Sequence, residues 1–218
     1  MATPTGQLCP RPGSPSPMAL FSAFLDACVI VPLAPCDTLL RMADAGAFRP
    51  LWSRKVVDEA QRALERVHPD IDPNRFRSRF RSMDEAFEDA LVDGWERLVP
   101  AIQLPDPDDA HVVAAAVVGR ADVIVTENTK HFPPSALKPL RITAVRLDEF
   151  LLDQFDLAPA ATCRTITQQA AAMRRPPVDA AQLLDRLARS GAPHFARSVG
   201  HELGIDIQPP MRSNRMAY

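Results

Sequence analysis

Residues 104–132, LPDPDDAHVVAAAVVGRADVIVTENTKHF, restrict the fold more than any other stretch. Val112 to Val118 is a wholly apolar run of helical character, and a helix with no polar face has to be buried. After a short link, Val123 to Val125 reads as a β-branched strand, also buried, of the kind found inside parallel sheets. A helix followed by such a strand is half of a βα layer, which predicts an α/β fold with a central, mostly parallel sheet flanked by helices. Polar chemistry collects at both ends of this unit. Asp106, Asp108 and Asp109 open it, and Thr126, Glu127 and Asn128 close the strand at the carboxyl edge, where open α/β sheets place their ligand crevices.

Two further acidic residues are placed by the same reasoning. Residues 19–25, ALFSAFL, read as a buried strand, and Asp26 stands where it ends; its bland alternative is a helix N-cap. From Ser53 to Val67, Val56, Val57, Ala60, Ala63, Leu64 and Val67 form one apolar helical face, with Glu59 on its flank and Asp58 nearly opposite. Glu59 can therefore look into a crevice beside the core, or else pair with Arg62 or Arg66 at the surface. On the helical wheel Asp109 falls on the side of Val112, Val113 and Ala116, Asp106 can join it, and Asp108 is displaced.

Several carboxylates cannot share a crevice while charged without a cation. Two unit charges about 4 Å apart repel by roughly 4 kcal/mol at an effective dielectric near 20. Oxygen donors without Cys or His among them point to Mg²⁺ or Mn²⁺ rather than Zn²⁺. His111 has no companion at zinc-like spacing and reads as a packed or polar-edge histidine.

The remaining chain sets the domain plan. Residues 1–17, rich in Pro with Thr, Ser and Gly, are expected to be a disordered extension, and Met18 is a candidate start beyond it. A domain over 18–155, a helical carboxy-terminal module over 156–207 and a flexible tail over 208–218 complete the expectation. Within the first domain, residues 72–93 predict a helix through Phe76, Phe80, Met83, Phe87 and Leu91, Trp95 to Val99 a strand, 141–146 a last strand, and Leu147 to Phe155 a helix docked on it. The module is broken at Pro176-Pro177 and at Gly191-Ala192-Pro193.

A formal charge of −2 gives no global pull toward nucleic acid or membrane. Four cysteines without metal spacing suit a reducing cytoplasm, and neither a secretory signal nor a membrane-spanning run is expected.

In this order, FLDACV with Asp26, VVDEAQRAL with Glu59, DPDDAHVVAAA with Asp109 and the strand end VTENTKHF resemble the PIN-domain nucleases, in particular the VapC-like toxins. The resemblance covers about residues 20–150. It implies an RNA-cleaving enzyme dependent on Mg²⁺ or Mn²⁺, with Asp26, Glu59 and Asp109 as metal ligands and Asp106 as an additional acidic member. It further implies catalytic assistance from Thr126 and Asn128, a cognate antitoxin protein, and a homodimer. One departure is Asn128, at a position often Asp in the family, which offers a carbonyl oxygen but no charge. Two rival readings are an inert PIN scaffold that binds RNA or a protein, and a phosphatase with Asp26 as nucleophile. The latter class usually carries a second acid two residues on, where this chain has Cys28.

Overall fold

The structure, a computed structural model, describes residues 21–174 and 176–207. The expectations for 1–17, Met18 and 208–218 lie outside the described residues. In chain order the elements are β1 (Ser22–Leu25), α1 (Ala27–Ile30), α2 (Leu33–Asp44), β2 (Arg49–Leu51), α3 (Arg54–Val67), α4 (Pro73–Ala86), α5 (Ala110–Val118), β3 (Val123–Val125), α6 (Pro134–Leu137), β4 (Thr143–Val145), α7 (Leu147–Leu157), α8 (Pro159–Ala172), α9 (Ala180–Arg189) and α10 (Pro193–Leu203).

The four strands form one sheet in the order β2-β1-β3-β4, and every pairing is parallel. Chain order departs from β1 toward β2 on one side and returns to β3 on the other, so the topological switch falls between β1 and β3. β1 and β3 are buried on both faces, as their apolar composition requires. α5, apolar apart from His111, is buried from Ala110 to Ala116 and packs on β3.

Helix boundaries follow local chemistry. Ser53 caps α3 by accepting the Val56 N–H at 3.3 Å. Val56, Val57, Ala60 and Leu64 are buried as expected, whereas Val67 at the frayed end is 67% exposed. α4 ends at Ala86, short of the expected residue 93, because tertiary pairing captures the chain beyond it. Trp52 N–H donates to the Ala90 carbonyl at 3.0 Å and Val92 N–H to that of Trp52 at 2.8 Å, which extends residues 90–92 away from helical geometry.

The strand expected at Trp95 to Val99 is instead a 3-10 helix, Glu96–Ala101, carrying Pro100 and packed on α5. The segment pairs its backbone locally, the Leu98 N–H on the Trp95 carbonyl at 2.9 Å and the Ile102 N–H on that of Val99 at 3.1 Å.

α7 to α10 continue the same hydrophobic core. Leu183, Leu184, Leu187, Phe195 and Val199 are buried within it. The seam is also polar: fully buried Gln169 on α8 accepts the Thr38 hydroxyl at 2.7 Å and donates to the Ala34 carbonyl at 3.1 Å, both on α2. Asp148 on α7 receives the first N–H groups of α10, from His194 at 3.2 Å and Phe195 at 2.8 Å. Among the described residues no helix is long and apolar enough to cross a membrane.

Candidate active site

Register decides what meets at the switch point. Leu25 pairs with Val125, so the next residues, Asp26 and Thr126, emerge side by side from the carboxyl ends of β1 and β3. Asp26 is 7% exposed, and burying a carboxylate is costly unless hydrogen bonds replace water. They do: Oδ1 accepts the Ala27 N–H at 2.7 Å, and Oδ2 accepts the Thr126 hydroxyl at 2.7 Å and the Cys28 thiol at 3.2 Å. Asp26 is thus both the N-cap of α1 and the centre of a cross-strand network. Thr126 Oγ1 accepts the Asn128 N–H at 3.1 Å, and Cys28 Sγ accepts the Glu127 N–H at 3.2 Å. Burial, followed by the charge of Asp26, pushes the Cys28 thiol up to about 12, so it stays protonated and serves as a donor.

The second cluster forms at the start of α5. Asp109 Oδ2 lies 2.7 Å from His131 Nδ1, and Asp106 Oδ2 lies 3.9 Å from the same nitrogen. Ligand atoms of Asp106, Asp109 and His131 all fall within 4.8 Å of one another. Burial raises the pKa of Asp109; the charges of Asp26 and Asp106 raise it further, against the lowering effect of His131. Asp26, 83 residues before Asp109 in sequence, is thus near enough for its charge to act on Asp109, although among the described residues it is not part of the Asp106-Asp109-His131 group. Asp108 stays outside this cluster and is exposed, as its displacement on the wheel implied.

Glu59 takes a different partner from those expected. Its Oε1 lies 3.2 Å from Nε2 of His111 and 4.0 Å from Lys55 Nζ. Burial pushes Glu59 up, yet the hydrogen bond and charge of His111, with Lys55 and Arg62, outweigh it and the net direction is down. His111 is 3% exposed, its ring 5.9 Å from that of Trp95, and its Nδ1 has no partner. α3 packs on α1, which Asp26 caps, and His111 follows Asp109 by two positions, so Glu59 is linked to both carboxylates through their own elements. Among the described residues its ion pairs are with His111 and Lys55, not within the Asp106-Asp109-His131 group.

At the strand end Asn128 is exposed, with its backbone fixed by Thr126. Sequence reasoning passed over His131. The 3-10 turn Thr129–His131, closed by the His131 N–H on the Asn128 carbonyl at 2.9 Å, brings the imidazole back to Asp109. An all-oxygen cluster was expected, and the structure adds an imidazole beside Asp109 and a thiol beside Asp26. The available signal was the closeness of His131 in sequence to a strand end already flagged as polar.

A family profile described as the PIN domain matches residues 22–130, and one described as the VapC50 C-terminal domain matches residues 147–201. The "Putative ribonuclease VapC50" of Mycobacterium tuberculosis (strain ATCC 25618 / H37Rv) is 51% identical over 108 residues, which are 47% of this chain and 63% of that relative. The match thus spans less than two thirds of the relative's own length. No solved structure matches the chain. The PIN-domain profile runs from β1 through the strand end at Thr126, the same span that folds into the switch point and gathers its acidic residues, and this chain belongs to the PIN-domain family.

Proposed function

We propose that the chain is a divalent-cation-dependent endoribonuclease that hydrolyses RNA phosphodiester bonds and acts as the toxin of a toxin–antitoxin pair. One observation supports this reading: Asp109 gathers with Asp106 and His131 at the start of α5, and the charge of Asp26, at the carboxyl end of β1, is near enough to help raise the Asp109 pKa. Packing alone gives no reason to aim two carboxylates together. A cation between them does.

The donor set fits Mg²⁺ or Mn²⁺. Asp26 and Asp109 would be the central ligands, with Asp106 beside them and Glu59 reached directly or through water, all hard oxygen donors. His131 would orient the Asp109 carboxylate through its 2.7 Å contact, as outer partners of ligands commonly do. A bound divalent ion supplies a lowered water pKa and neutralises charge developing on the phosphate. The chain's own groups do the rest: the Thr126 hydroxyl holds Asp26 in one orientation, His111 keeps Glu59 ionised, and exposed Asn128 positions water or a phosphate oxygen.

RNA as substrate is supported by the name of the relative, a ribonuclease. An antitoxin would be a small protein that covers the crevice, in a cytoplasmic setting that suits the free thiols of Cys28, Cys36 and Cys163. The phosphatase reading fares worse, because no acid stands at position 28, where this chain has Cys28.

The test is to map the ends of cellular RNAs after induced expression of the parent and of Asp26→Asn. Discrete new ends with the parent alone are expected. The same ends with both proteins, or none with either, would overturn the reading.

A further inference from the structure

Glu127 stands between Thr126 and Asn128, yet the hydrogen bonds of its side chain lead toward the carboxy-terminal helices. Oε1 accepts the Leu147 N–H, the first of α7, at 3.3 Å, and Oε2 accepts Arg146 at 2.7 Å. A carboxylate at a helix N-terminus meets both an unpaired donor and a favourable dipole. The corner between α9 and α10 closes on the same group. A Cβ built on Gly191 would lie 3.4 Å from Glu127 Oε1, and the φ of +106° there is one that glycine adopts without strain. The main chain of Glu127 faces the other way, its N–H on Cys28 Sγ, whose own hydrogen goes to Asp26 Oδ2.

We infer that Glu127 is a positioning residue: it ties the strand end carrying Thr126 and Asn128 to the start of α7 and the α9–α10 corner, so that the carboxy-terminal helices set the crevice around Asp26. Its catalytic consequence rests on the ribonuclease reading, whereas the tie itself does not. Arg146 is 61% exposed and contributes little, since surface ion pairs are weak. The Leu147 N–H carries the constraint, with the α9–α10 corner close enough that a side chain at Gly191 would touch Glu127.

Hydrogen exchange on the full chain tests the tie. Glu127→Ala should speed exchange of the amides at 126–131 by about tenfold or more through local opening, while Glu127→Gln, which keeps an oxygen for Leu147, stays near the parent. Unchanged exchange in Glu127→Ala would overturn the inference. Cleavage and calorimetric Mn²⁺ titration supply the second arm. Glu127→Ala should lower kcat by about tenfold with KM for RNA and Mn²⁺ affinity nearly unchanged, and Glu127→Gln should restore kcat. Loss of Mn²⁺ affinity in both variants would make Glu127 a ligand and overturn its positioning role. Faster exchange in Glu127→Ala together with an inactive parent would leave the tie standing and remove the ribonuclease reading.

Discussion

Thr126→Val isolates the network around Asp26. The change replaces the hydroxyl by a methyl at a fully buried position, so no cavity is made and the side chain loses its hydrogen-bonding capacity beside Asp26. Three interactions go with it: the 2.7 Å donation to Asp26 Oδ2, the 3.1 Å acceptance from the Asn128 N–H and the 3.5 Å contact with Cys28 Sγ. A hydrogen bond to a charged group is worth about 1.5–3 kcal/mol, and Asp26 Oδ2 would keep only the weaker thiol donor of Cys28. We expect a loss of about 2 kcal/mol, which for a chain of this size is a fall of about 4–8 °C in Tm. Thr126→Ser, which keeps the hydroxyl, should retain most of the stability. Differential scanning calorimetry, without and with saturating Mn²⁺, provides the assay. Because the cost arises from an under-compensated negative charge, a cation at Asp26 should narrow the gap between Thr126→Val and the parent. A Tm for Thr126→Val within about 1 °C of the parent, or a gap that Mn²⁺ leaves untouched, would refute the reasoning.

The two shifted carboxylates act on stability in opposite directions with pH. Asp109 is raised above 3.8, so the native state holds a proton that the unfolded chain has released, and stability falls as pH climbs from that value through the folded pKa. Asp109→Asn should flatten this decline in cation-free Tm measurements; a profile as steep as the parent's would count against it. Glu59 is lowered below 4.5, so its contribution is present above that value and disappears as pH falls through the folded pKa. His111→Phe should raise the Glu59 pKa in a carboxylate NMR titration while His111→Gln, which can still donate, moves it less; an unmoved Glu59 in both would show that His111 does not hold it. Gln169→Ala should destabilise the chain by about 1–3 kcal/mol in urea unfolding by removing two buried hydrogen bonds to α2 together with the side chain's packing, while the Thr38 hydroxyl keeps its 2.9 Å bond to the Ala34 carbonyl, within one cooperative transition; a separate early transition for α8–α10 would show that the core is not continuous.

How much could be read beforehand depended on whether a feature was local. α5 and β3 were legible because an apolar run with no polar position admits only burial, and Asp26 was legible because a strand of that composition has to end at the first charge. The early end of α4 was not legible: Phe87 and Leu91 keep helical spacing, but pairing of Ala90 and Val92 with Trp52 overrides it. Trp95 to Val99 has the apolar content of a strand, yet it closes on its own backbone as a 3-10 helix that carries Pro100. The acidic grouping was legible only in part. The helical wheel put Glu59 on the flank of its apolar face, but no local pattern could pair it with His111, which lies on another helix. His131 reaches Asp109 through a tight turn whose geometry the sequence does not announce.

The central claim is that Asp26 and Asp109 form one cation-dependent centre that cuts RNA. Its most direct measurement is cleavage of a mixed RNA substrate by the purified parent, Asp26→Asn and Asp109→Asn, with Mn²⁺ and with chelator, on samples whose folding is verified by Tm. Cutting by the parent in Mn²⁺ alone, with both folded variants inactive, is the predicted result. Cutting that persists in either variant, or that survives chelation, would contradict the account.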